Sequence, residues 1–156
     1  MPPLPKTPAS RSAATRRPRG TGTVRPPSPA ELAELPDEEL LEAVQRQTFR
    51  FFWEGGHPVS GLAPDRRTTR DVPVDDQAAI GGSGFALMCI IVAVERRWIT
   101  RAAAVARIGA MLDLLTRAPC YHGAFPHFLD GRTGATIAFS RKDDAADLVE
   151  TSFLCM

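Results

Sequence analysis

The sequence predicts a mainly α-helical domain, and three observations carry that prediction. Apolar residues recur at helical spacing in separate stretches, capping residues stand at the heads of several of those stretches, and no strand–helix alternation links them. There is also no short internal repeat.

The first helix is expected from "SPAELAEL". Ser28 is placed to cap, Pro29 suits a first helical position and Glu31 completes a capping box. A longer helix follows in "PDEELLEAVQRQTFRFFWEGG". Asp37, Glu38 and Glu39 favour its positive end, Leu40, Leu41, Val44, Phe51 and Phe52 fall near one face, and Gly55 and Gly56 stop it. Residues 57–80 show no sustained period and read as a long loop, which in a compact domain is functional or mobile. In "GGSGFALMCIIVAVERRWIT", Gly81, Gly82 and Gly84 relax the start of a segment that is apolar all round as far as Glu95. That pattern predicts a helix covered on every side. Thr100 caps the next helix, where Val105, Ile108, Leu112 and Leu115 recur. The pairs Asp130-Gly131 and Thr133-Gly134 then predict a small hairpin or irregular loop, and Ser140, with Asp143 three positions on, predicts a closing helix.

The first 29 residues stand apart. They are rich in Pro, Arg, Ser and Thr, nearly lack large apolar side chains, and cannot bury enough surface to offset the entropy of ordering. The expected organisation is therefore a disordered basic tail at 1–29 and a helical domain at 30–156. The tail carries Lys6, Arg11, Arg16, Arg17, Arg19 and Arg25 with no acid, whereas the whole chain is only +1. It shows no interleaved aromatics for base stacking, and no recognition helix is evident, so a nucleic-acid partner is not expected. "TRRPRG" is followed by "GTGTVRPPSP" rather than an apolar run, so no signal peptide is visible, and "FALMCIIVAV" is too short to span a bilayer. Cys89, Cys120 and Cys155 are odd in number and form no close pair.

Two stretches have the residue types for chemistry. In "FSRKDDAADLVETSFL", a helix begun at Ser140 would place Asp147 and Glu150 roughly 40° and −20° from Asp143. Such a row is either a solvated helix face, with Asp143 and Asp144 favouring the macrodipole, or a set of acids for glycoside hydrolysis. That reaction needs one protonated carboxyl group and one ionised one. In "YHGAFPHFLDG", Tyr121, Phe125 and Phe128 alternate with His122, His127 and Asp130. Aromatic faces with polar edges suit sugars, and a plain loop packed on its aromatics is the alternative. His122 and His127 are five apart across a proline with no clear third ligand, so no metal is expected. "IGGSGF" lacks the lysine of a phosphate loop and the strand of a dinucleotide site, and close helix packing explains its glycines better.

Taken together and in order, "TFRFFWEGGHPVSGLAPDR", "AIGGSGFALMCIIVAVERRWITR", "HGAFPHFLDGRTG" and "FSRKDDAADLVETSFL" resemble the N-terminal part of bacterial glucoamylase-like proteins. That group includes endo-β-1,2-glucanase-type glycoside hydrolases and related domains of cyclic β-1,2-glucan synthases. The resemblance covers roughly residues 38 to 154. It implies part of an (α/α)6 barrel and a β-glucan substrate with no cofactor, and the short apolar run adds the expectation of no membrane insertion. The family's acidic motif matches at Asp143, Asp147 and Glu150 as candidates for acid/base work, with Asp144 alongside. His122, Phe125, His127 and Asp130 match a loop beside the substrate and are carried over as sugar contacts. Because the barrel needs about twelve helices and this chain supplies four or five, the resemblance also implies a truncated member, inactive alone. A non-catalytic sugar-binding or interaction module is the alternative.

Overall fold

A computed structural model describes residues 27–67 and 76–156. The expected disorder of residues 1–26, and residues 68–75 of the expected loop, lie outside the described residues. The chain divides into two units, residues 1–34 and 35–156. In the first, α1 (Pro29–Ala33) carries the expected capping box: Ser28 Oγ accepts from Glu31 N–H at 3.2 Å while Glu31 Oε2 accepts from Ser28 N–H at 2.6 Å.

The second unit is built from α2 (Asp37–Trp53), β1 (Gln77–Ala79), α3 (Ile80–Glu95), α4 (Arg101–Leu115), β2 (Phe128–Asp130), β3 (Thr136–Ile137) and α5 (Leu148–Cys155). The class is mainly α, as the periodicity predicts. The helix α3 packs against α2, α4 and α5, and its N-terminus follows directly from β1. Leu62, Ala63, Ile80, Ile90, Met111, Leu114 and Leu129 fill the centre at 0–2% exposure. Among the described residues no helix is long and apolar enough to cross a membrane.

Local signals placed the caps of α1 and α4 and the hairpin well. Thr100 caps α4 by accepting from Ala103 N–H at 3.1 Å. The hairpin β2–β3 forms because Asp130 Oδ1 accepts from the amides of Arg132 and Thr133, and Gly134 closes the turn at a φ of +79°. One strand was missed. Gln77–Ala79 adds antiparallel to β2, with Ala78 opposite Leu129, inside what reads as loop. Three residues without a β-branched side chain give no strand signal; the pairing is supplied by β2.

Four expectations are corrected. The buried residue of α2 is Phe49, while Leu41 and Val44 are half exposed. In α4 the core takes Ala104, Met111, Leu114 and Leu115, leaving Val105 and Leu112 exposed. The helix α3 is not covered on every side among the described residues: Ile80, Ala86, Ile90 and Ala93 are buried, but Phe85, Ile91 and Val92 face outward. Finally, the closing helix does not start at Ser140. Ser140 and Asp143 exchange backbone hydrogen bonds across a turn, and α5 begins at Leu148 with Asp147 as its N-cap. Long-range bonds decide this. Asp147 N–H donates to Phe125 O at 2.7 Å and Ala146 bridges to Pro126, holding the chain extended up to the cap.

Candidate functional site

The site lies where the start of α5 meets the start of α3. Asp147, as N-cap, accepts through Oδ1 from Val149 N–H at 2.9 Å and Glu150 N–H at 3.0 Å. Its other oxygen, Oδ2, is 2.8 Å from His127 Nδ1. The Glu150 amide, opposed by burial but reinforced by His127 and the Val149 amide, holds the Asp147 carboxyl below its usual range. An ionised carboxylate only accepts hydrogen bonds, so His127 must donate from Nδ1.

Glu150 sits in the first turn of α5 and reaches across to α3. Its Oε2 accepts from Gly81 N–H at 2.7 Å, a contact spanning 69 positions in sequence. That amide is one of the unpaired donors at the head of α3, where a carboxylate is favoured by the helix dipole. Glycine leaves room for this approach: a Cβ at position 81 would stand 2.8 Å from Glu150 Oε2 and push the carboxylate aside. Its other oxygen, Oε1, lies 4.0 Å from His127 Nε2. His127, Asp147 and Glu150 are each about a fifth to a quarter exposed, so the trio is packed yet open on one side.

The loop carrying His127 is pinned to α5. Phe125 N–H donates to Thr151 Oγ1 at 2.8 Å. The helices α3 and α5 cross closely at Gly84, where a Cβ would come within 2.6 Å of the Phe153 carbonyl carbon and 2.7 Å of Leu154 Cα. Of the glycines of "IGGSGF", Gly84 therefore serves close packing and Gly81 binds a carboxylate. Beside the trio, Phe139 is 55% exposed, its ring stacked on Phe128 at 5.7 Å and tilted against His127 at 4.6 Å.

Of the residues singled out from sequence, the structure brings His127, Asp147 and Glu150 together and fastens Phe125 beside them by its backbone. It does not place Asp143 and Asp144 on a helix with Glu150: both are exposed on the turn before α5. Asp144 instead lines a cavity of about 140 Å³ with Pro119, Tyr121 and Thr136. His122 is exposed in a tight turn at a φ of +50°. The Asp130 carboxylate is occupied by its own turn amides, with Thr133 N–H the main reason its acidity is strengthened. Sequence reasoning missed Phe139, the Gly81 amide and the His127–Asp147 pair. Only Phe139, an aromatic two residues after β3, left any signal. Among the described residues no group of three or more His, Cys, Asp or Glu side chains is arranged to hold a metal ion.

No protein-family model matches the chain. It is 46% identical over 121 residues to an exo β-1,2-glucooligosaccharide sophorohydrolase (non-reducing end) of Parabacteroides distasonis, a match covering 77% of this chain and 16% of that protein. Among solved structures, an endo-β-1,2-glucanase from Chitinophaga pinensis, in complex with sophorotriose and glucose, superposes with a TM-score of 0.69. The two share 38% identity over 77% of this chain and 29% of the other. A glucoamylase candidate from Bacteroides caccae gives a TM-score of 0.72 at 43% identity, over 76% of this chain and 30% of the other. The chain thus spans between about a sixth and a third of the length of the relatives it matches, and its helices form part of an (α/α)6 barrel. Over about three quarters of its own length the chain is similar to a portion of bacterial β-1,2-glucanase-type and glucoamylase-like proteins.

Proposed function

We propose that this chain contributes the carboxylate wall of a glycoside hydrolase site acting on β-glucan, and more narrowly on β-1,2-linked glucan. The observation that carries the proposal is the placement of Glu150, one oxygen anchored on the Gly81 amide and the other directed towards His127. Glycoside hydrolysis needs a carboxyl group that keeps its position while its free oxygen exchanges a proton with water or with the leaving oxygen. Glu150 meets that requirement through Oε1. Asp143, on the exposed turn, is the candidate for a second carboxyl group, since Asp147 has both oxygens engaged. Phe139 offers the flat apolar face on which a sugar ring stacks. No cofactor enters this chemistry.

The site is open to solvent. Leu148 and Val149 beside it are 75% and 63% exposed, and nothing among the described residues screens a glycosidic bond from bulk water. The isolated chain is therefore expected to bind oligosaccharide weakly with little or no turnover. Calorimetric titration of the full chain with sophorotriose, with cellotriose as the linkage control, tests this. Preferential binding of sophorotriose that falls at least about tenfold in Phe139→Ala is the expected result, in line with the 1.4 kcal/mol per decade of affinity. Equal binding of the two trisaccharides, or none of either, overturns the β-1,2 assignment. Rapid release of reducing ends from linear β-1,2-glucan would contradict the expected lack of turnover.

A further inference from the structure

We propose that Asp147 is a positioning residue and not one of the proton-exchanging carboxyl groups: it fixes His127 with its proton on Nδ1, so that Nε2 is turned towards Glu150 Oε1. This assigns roles within the site proposed above and rests on that reading for its functional meaning.

Three observations carry it. Both Asp147 oxygens are committed, Oδ1 to the amides of Val149 and Glu150 and Oδ2 to His127 Nδ1. A carboxyl group used in this way has about three of its four lone-pair sites occupied and is poorly placed to exchange a proton with a glycosidic bond. Next, an acceptor-only carboxylate at 2.8 Å obliges Nδ1 to carry hydrogen, which leaves Nε2 as the end of the ring that faces Glu150 at 4.0 Å. Third, Glu150 Oε2 is held by Gly81 N–H, so the oxygen next to His127 is the one not already anchored to backbone. Asp147, His127 and Glu150 thus form a chain of contacts, held at one end by the amides of Val149 and Glu150 and at the other by that of Gly81. His127 is accordingly a partner of Glu150 and not simply a sugar contact.

The molecule contains its own reference. At His57, Nδ1 accepts from Val59 N–H at 3.2 Å and Nε2 faces Asp76 at 2.9 Å. His57 must therefore carry its proton on Nε2, the opposite tautomer.

The test is long-range proton–nitrogen NMR of the histidine rings in the ¹⁵N-labelled full chain at pH 8, without sugar. His127→Gln identifies the His127 signals. In the wild type, Nδ1 of His127 should be protonated. In Asp147→Asn the side chain can still cap α5 through its oxygen, but its amide nitrogen now donates to Nδ1, so the His127 proton should move to Nε2 while His57 stays unchanged. An Nδ1 state identical in wild type and Asp147→Asn overturns the proposal. Should that variant fail to fold, as an altered His57 spectrum would reveal, Asp147→Ser keeps a capping oxygen without reaching His127. It should show a mixture of tautomers, and a single Nδ1-protonated form there also overturns the proposal. Sugar takes no part in the experiment, so its outcome is independent of whether β-1,2-glucan is the substrate.

Discussion

At the scale of single residues, Asp147 both caps α5 and holds His127. Capping α5 contributes about 1 kcal/mol, the usual cost of replacing an N-cap aspartate by alanine. The amides and His127 depress its pKa in the folded chain. A carboxyl group whose folded pKa lies below its unfolded value stabilises the fold above the unfolded value, about 3.9 for aspartate. That contribution is lost as pH falls through the folded pKa. Denaturant titrations of wild type and Asp147→Asn should therefore differ at about pH 5, and the gap should close as the pH falls below about 4. A gap that widens as the pH falls would contradict the assignment. Asp130 and Asp76 also have depressed pKa values, but they are common to both proteins and cancel in the difference.

At the scale of elements, the crossing of α3 and α5 positions the site, because it brings the head of one helix to the first turn of the other. Gly84 sets how close that crossing is. Replacing a helical glycine by alanine ordinarily stabilises by up to about 1 kcal/mol. Here the new methyl group would meet the Phe153 backbone, which cannot turn aside as a side chain can, and overpacking costs about 1–3 kcal/mol. The clash should win: Gly84→Ala should lower the unfolding free energy by about 1–2 kcal/mol and weaken the Gly81–Glu150 bond, readable as faster amide exchange at Gly81. A neutral or stabilising effect would show that the crossing is looser than described. The same crossing explains what the sequence could and could not reveal. Ser28, Thr100 and the Asp130 turn are legible because their partners lie two or three residues away. The start of α5 is not, since Ser140 is as good a local cap as Asp147. The choice falls to Asp147 through Phe125 and His127, more than twenty and exactly twenty positions distant in the chain respectively.

For the whole molecule, apolar surface is distributed more evenly than a single packed face requires. Ile91, Val92, Val105 and Leu112 are exposed while Ile90, Met111 and Leu114 on the same helices are buried. Periodicity reports which residues are apolar, not which of two apolar sides a given core will cover, so the faces expected for α2 and α4 were misassigned. The family motifs gave the acidic residues but not their arrangement: Asp143 lies on a turn, and only Asp147 and Glu150 converge on His127. The central claim is that this convergence forms the carbohydrate-binding wall. Its most direct test is a backbone amide NMR titration of the full chain with sophorotriose. Saturable shifts at Gly81, His127, Phe139 and Glu150, abolished by Glu150→Gln, are the predicted result. Shifts confined to other parts of the chain, or unchanged by Glu150→Gln, would contradict it.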